Sequence, residues 1–158
     1  MIEEPSQETI DQWHRWFASR CNNQAWDLIA KPQRTSKENR NMLYLAYASA
    51  YHWSRVGALL NDARAEITLA NVHALLGDAD LALFYAQRCL DYFENHNCED
   101  WDRAFAHAAM AHAAAAKKDK SLHAKHYAKA QELGEAIHDQ VDRRIFLDEL
   151  ARIPSKIA

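Results

Sequence analysis

The chain has 158 residues and a formal net charge of −3, so it is long enough for one domain or one short repeat array. That weak charge, with lysine and arginine spread along the chain, argues against nucleic acid or an anionic membrane as the main partner. Glycine and proline number only three each and alanine dominates 104–116, so the composition predicts an all-α fold.

The first predicted helix pair covers about 6–57. Ser6 is a candidate N-cap, and apolar residues recur at helical spacing from there to Lys31-Pro32, with an interruption at Asn22-Asn23 left open. Thr35 and Glu38 form a capping box that opens the second helix, which ends at Gly57.

Five further helices follow in chain order. Asn61 or Asp62 is expected to cap a third helix that ends before Gly77, and a fourth completes a second pair at about 61–95. A third pair covers about 100–137, and a terminal capping helix covers about 139–153. The sequence therefore predicts about seven helices and leaves little room for strands.

The second and third pairs repeat one another. Arg64, Ala70 and His73 recur thirty-nine positions later as Arg103, Ala109 and His112, whereas the second helices match at forty-one or forty-two positions. Two helices per copy and a period near forty indicate an α-solenoid, with a longer first helix in the later copy.

The segment 65–90 resembles a tetratricopeptide repeat (TPR). Leu69-Ala70 lies where that family has its Leu-Gly pair, and Gly77-Asp78 lies at its turn between helices. The resemblance extends in layout to small bacterial TPR-like proteins and implies a single right-handed α-α superhelix over 1–158. It implies a scaffold or adaptor that binds a protein or peptide, with no chemistry of its own.

The resemblance also implies a ligand groove along the first helix of each pair. Arginine and asparagine in such a groove can hold a peptide backbone or carboxylate, while aliphatic residues take apolar side chains. The corresponding positions here are Arg64, Ile67, Thr68, Asn71, Leu75, Arg103, His107 and Met110.

Aromatic residues are concentrated in the first pair. Trp13, Trp16 and Phe17 fall within five residues, more apolar surface than one neighbouring helix is expected to cover, and they predict self-association as a homodimer. The 43–57 stretch favours helix packing over an aromatic ligand cage, whose members would be Trp16, His52 and Trp53.

Nine histidines raise an alternative, a metal-binding or hydrolytic helical bundle. Their spacing argues against it, because His107 and His112 are five apart and no His-Glu-x-x-His motif occurs. Nucleophile and phosphate-loop motifs are also missing, so we expect no enzyme activity, cofactor or metal.

The expected compartment is the cytoplasm. Three cysteines without a Cys-x-x-Cys pair suit a reducing environment, and 1–6 lacks the pattern of a secretion signal. No apolar run approaches the length of a membrane span.

Overall fold

The computed structural model describes residues 4–157, so 1–3 of the predicted amino-terminal pattern and residue 158 lie outside the described residues. Within that range every regular element is an α-helix, which confirms the predicted all-α class. The helices are α1 (Gln7–Ile29), α2 (Ser36–Arg55), α3 (Leu59–Leu76), α4 (Ala79–Asn95), α5 (Asp100–Lys117), α6 (Lys120–Glu135) and α7 (Gln140–Leu150).

Local chemistry sets several of the helix ends. The Ser6 hydroxyl accepts a hydrogen bond from Thr9 N at 3.2 Å, and Thr35 and Glu38 exchange both bonds of a capping box. Gly77 ends α3 with φ of 81°, a left-handed conformation that costs glycine nothing because it has no Cβ. These ends agree with the sequence prediction.

The structure decides one point that the sequence leaves open, and it shows that one predicted helix start is wrong. α1 continues without a break through Asn22, whose side-chain oxygen accepts a hydrogen bond from Thr68 instead of competing with its own backbone. α3 begins at Leu59 with Ala58 at the N-cap, and no side chain caps this end. Asp62 lies in the first turn, where its charge favours the helix N-terminus.

The helices stack in consecutive pairs. Each of α1, α3 and α5 packs against the next odd-numbered helix, and each even-numbered helix packs against the odd-numbered helices before and after it. Within residues 4–157 the even-numbered helices do not pack against one another. This arrangement is compatible with a helical-repeat superhelix, whose right-handed form remains a prediction.

α5 is the centre of the stack and contacts α3, α4, α6 and α7. Its alanines allow this, because a small side chain lets a neighbouring helix approach closely on more than one side. The apolar residues buried along it are Ala104, Ala106, Ala108, Ala109, Met110, Ala111, Ala113 and Ala114. The alanine tract is therefore a packing surface as well as a good helix former.

A close approach between α6 and α7 fixes the last helix. A Cβ built on Gly134 would overlap the ring of Phe146, which is fully buried among Ala104, Ala130 and Ile137. Glycine at this helical position therefore allows Phe146 to anchor α7.

Replacing Gly134 with alanine should destabilise the protein by about 2 kcal/mol, because the cost of overpacking exceeds the gain in helix propensity. Urea unfolding measures the change. Combining Gly134→Ala with Phe146→Leu should reduce the effect of the new methyl group, because a smaller side chain leaves room for it. Equal effects in both backgrounds would contradict the proposed overlap.

Among the described residues, no helix has both the length and the apolar character that a bilayer span requires.

Candidate ligand-binding cleft

A cavity of about 300 Å³ opens among α1, α3, α5 and α7. We call it the inner cleft, because all of its helical walls come from the odd-numbered helices. Its lining residues are Asn22, Trp26, Arg64, Ile67, Thr68, Trp101, Phe105, Ile145 and Glu149.

The floor of the inner cleft is aromatic. Phe105 meets Trp26 and Trp101 edge to face, with ring centroids 5.9 Å and 6.1 Å apart. Behind it, Phe105 packs against buried Phe146 with centroids 4.9 Å apart. Edge-to-face pairs are a favourable aromatic geometry, so the floor is a rigid apolar surface.

Ile145 lies at the mouth of the inner cleft and is 51% exposed. One turn further along α7, Glu149 also lines the cavity and forms an ion pair with Arg152 through one carboxylate oxygen. The other oxygen of Glu149 has no hydrogen-bond partner within residues 4–157. α7 therefore contributes an apolar rim and a hydrogen-bond acceptor.

A short hydrogen-bond chain holds the α1 wall against α3. The Trp26 indole donates to Thr68 Oγ1 at 3.0 Å, and the Thr68 hydroxyl donates to Asn22 Oδ1 at 2.8 Å. Thr68 is thereby satisfied although it is only 1% exposed. The Asn22 amide nitrogen has no partner among the described residues and remains able to donate.

Arg64 is held by the fold. Its Nε and Nη2 donate to both carboxylate oxygens of Asp102 at 2.8 Å, and its guanidinium lies 4.4 Å from the centroid of the Trp101 ring. Asp102 is fully buried, and it also accepts a hydrogen bond from Glu99 N. The hydrogen bonds to Asp102 raise the pKa of Arg64 above its ordinary value.

The charge of Arg64 is thus neutralised inside the protein. Such a pair joins α3 to α5 and stiffens the Trp101 wall, but it leaves no net positive charge to bind a free carboxylate. The chemistry of the inner cleft is therefore apolar contact with a few hydrogen-bonding groups at its edge.

Deeper along α3 and α5, a second polar contact adjoins the inner cleft. Asn71 donates to Ile67 O at 2.9 Å and accepts from His112 Nδ1 at 2.8 Å, so Nδ1 carries the proton. Burial, with a smaller contribution from Arg34, lowers the pKa of His112 to about 4. His112 is therefore a neutral structural donor at neutral pH.

The structure brings five of the eight predicted groove residues to one side of α3. Arg64, Ile67 and Thr68 line the inner cleft, and Asn71 and Leu75 line a small cavity next to it. Whether this side binds a peptide remains a prediction.

The three groove residues predicted on α5 point elsewhere. Met110 is 2% exposed in the core between α3, α4 and α5, and Arg103 donates to Phe93 O of α4 at 3.0 Å. His107 lies 2.9 Å from His126 of α6 between their Nδ1 atoms. They face the even-numbered helices and do not line the inner cleft.

The error comes from the repeat register. α3 and α5 have 18 residues each, and both their first and last residues are 41 positions apart. An offset of thirty-nine pairs alanines of α3 with alanines of α5 that lie two positions too early. It also requires α5 to be longer than α3, whereas the two helices have equal length. At the correct offset Arg64 corresponds to Phe105 and Asn71 to His112, and both of these α5 residues line the cavities.

The three predicted self-association residues lie on the outer side of α1. Trp13, Trp16 and Phe17 are 52%, 56% and 44% exposed, and none of them reaches the inner cleft.

The histidines are distributed as pairs and single packing residues. His14 and His52 join α1 to α2 with Nδ1 atoms 2.7 Å apart, and His73 stacks on Tyr85 while it contacts the Tyr47 hydroxyl. Within residues 4–157, no three His, Cys, Asp or Glu side chains converge in a way that could hold a metal ion.

A scan against protein-family models finds no match, and searches of curated proteins and of solved structures return no significant similarity. The class of the protein is therefore described from its structure alone. It is an all-α protein with seven helices in the described range and an apolar cavity among its odd-numbered helices.

Proposed function

We propose that this chain is a TPR-like binding module that holds a peptide segment of a partner protein in the inner cleft. The observation that carries the proposal is the aromatic cavity of about 300 Å³, open at Ile145 and edged by hydrogen-bonding groups. The proposal includes no catalytic step.

The size of the cavity favours a side chain over a cofactor. Small-molecule sites usually range from about 300 to 1,000 Å³, so the inner cleft is at the lower limit. A large aliphatic or aromatic side chain is the matching occupant, because Trp26, Trp101 and Phe105 would surround it with apolar surface.

The edge of the cavity suits a peptide backbone. Asn22 offers an amide donor on α1, Glu149 offers a carboxylate acceptor on α7, and both residues line the inner cleft. A peptide unit needs one donor and one acceptor from its binding site, since it carries one C=O and one N–H. An apolar anchor residue flanked by backbone contacts is the ligand that these groups recognise.

The experiment is a random-peptide display selection against the wild-type protein, and the affinity of each selected peptide is then measured for the wild type and for Ile145→Lys. Recovered peptides should share one large apolar residue, and their binding should change the fluorescence of Trp26 and Trp101. Ile145→Lys should weaken binding by about tenfold or more, because it places a charge at the mouth of an apolar site.

Val141→Lys is the matched control. It lies one turn before Ile145 on α7, is 57% exposed, and does not line the inner cleft. Its affinity for the selected peptides should equal that of the wild type. Failure to enrich any peptide, or binding that Ile145→Lys leaves unchanged, would overturn the proposal.

A further inference from the structure

The outer side of α1 carries an aromatic cluster that the other residues of the described range leave about half exposed. α3 and α5 each contact two odd-numbered helices. Within residues 4–157, α1 contacts only one odd-numbered helix, α3. Trp16 meets Phe17 with ring centroids 4.9 Å apart, and Phe17 stacks on His52 of α2 at 5.4 Å. Tyr51 continues the cluster beside His14.

We call Trp13, Trp16, Phe17 and Tyr51 the α1 face. Each of the four side chains is between 44% and 58% exposed. With about 200 Å² per aromatic side chain, they leave roughly 400 Å² of aromatic surface in contact with water. That area is within the range of the largest apolar patch on a typical monomer and is often functional.

We infer that the α1 face is a dimer interface that binds a second copy of this chain. Roughly 400 Å² of aromatic area provides about half of the 800 Å² that each partner buries in an interface of standard size. The neighbouring polar residues of α1 and α2 would provide the rim. Tryptophan and arginine are the residues that most often contribute binding energy at such interfaces.

The sequence of α1 makes this face complementary to itself. Arg20 follows Trp16 by one helical turn, and its guanidinium lies 5.4 Å from the centroid of the Trp16 ring. A two-fold axis that passes between these residues brings two α1 helices together in opposite directions. Each Trp16 ring then meets Arg20 of the second copy, and one attractive cation–π contact is made twice.

The charged groups beside Trp16 are few and mixed in sign. Arg15 and Arg20 are positive and Asp27 is negative, so neither sign dominates this surface strongly. A partner of strong opposite charge has no matching field on this surface. The α1 face is separate from the inner cleft, so this inference does not depend on the proposed peptide ligand.

The test is the molar mass of the untagged protein by light scattering and sedimentation equilibrium over a wide concentration range. We expect a dimer of the 18.2 kDa chain that dissociates on dilution. Trp16→Ala and Arg20→Glu should each raise the dimer dissociation constant by about tenfold or more. Both positions are exposed, so circular dichroism should show unchanged helix content.

Phe84→Ala is the matched control. Phe84 is 51% exposed on α4 and also lies near an arginine, but it is not part of the α1 face. Its dimer dissociation constant should equal that of the wild type. A wild-type protein that is monomeric at every concentration would overturn the inference, as would a dimer that both α1 variants leave intact.

Discussion

Replacing Asp102 with alanine is expected to destabilise the protein by about 3 kcal/mol, because it leaves the partly buried Arg64 guanidinium without its partner. The variant also removes the acceptor for Glu99 N at the start of α5. Arg64 keeps 28% of its side chain exposed, so water compensates in part, and the cost should fall at the lower end of the range for buried pairs. Urea unfolding followed by circular dichroism measures the loss.

Asp100→Ala is the matched control for this prediction. Asp100 also lies in the first turn of α5 and accepts a hydrogen bond, from His138 N at 2.8 Å, but it is exposed. Its replacement should cost about 1 kcal/mol or less. A double variant with Arg64→Met and Asp102→Leu should be more stable than Asp102→Ala alone, because no charge is left unpaired. Equal costs for Asp100→Ala and Asp102→Ala would contradict the structural role of the pair.

The Arg64–Asp102 ion pair makes Arg64 unsuitable for testing ligand binding in the inner cleft. The sequence predicts that Arg64 contacts a ligand, and Arg64→Glu is the variant that this prediction suggests. In the structure that change would place a second carboxylate next to Asp102, and the protein would lose stability whether or not a ligand binds there. Ile145 is a better position, because its side chain reaches the cavity from an exposed site.

The sequence predicts the helices well because their ends depend on local chemistry. The capping box at Thr35 and Glu38 and the left-handed turn at Gly77 each involve residues within a few positions of one another. Such local signals mark the end of a helix whatever the rest of the protein packs against it. The start of α3 lacks a side-chain cap, and the N-cap expected at Asn61 or Asp62 lies three or four residues after the observed N-cap, Ala58.

The inner cleft can be predicted only in part from the sequence. Some of its lining residues lie on helices outside the two similar helix pairs, so the repeat gives no information about them. The tetratricopeptide resemblance predicts the α3 residues. Trp26 on α1 and Ile145 on α7 come from helices outside the two similar copies, and no spacing rule connects them to Arg64. Phe105 could have been identified, because the turns at Gly77-Asp78 and Lys118-Asp119 show the offset of 41 directly.

Acidification from pH 6.5 to pH 4 is expected to remove several kcal/mol of stability, because buried histidines resist protonation in the folded state. Burial lowers the pKa of His112 and of His107 to about 4, and it also lowers the pKa of His52, His73 and His126. The pKa of each of these histidines is lower in the folded state than the unfolded value of about 6.5. Their contribution to folding stability is therefore fully present above pH 6.5 and is lost as the pH falls towards the folded pKa. His112 alone accounts for about 3 kcal/mol at pH 4.

Two carboxylates act in the opposite direction without reversing the trend. Burial raises the pKa of Asp62 and of Glu66, so each binds its proton more readily in the folded state and stabilises the fold as pH falls. Two interhelical histidine pairs counteract this stabilising effect of the carboxylates. They are His14 with His52 and His107 with His126. If both rings of a pair are protonated, two cations lie at hydrogen-bonding distance and repel one another. The histidines outnumber these two carboxylates, and acid therefore destabilises.

Urea unfolding at a series of pH values from 7.5 to 4 measures this dependence, and the ring protons of His112 report its own titration by NMR. His112→Gln should lower stability at neutral pH but flatten the decline below pH 6.5, because the titrating ring is gone and an amide can still donate towards Asn71. His138→Gln changes an exposed histidine and should leave the decline as steep as in the wild type. A His112 ring that titrates near pH 6.5, or a stability that holds constant to pH 4, would show that the ring is solvated in solution and that the contact with Asn71 does not persist.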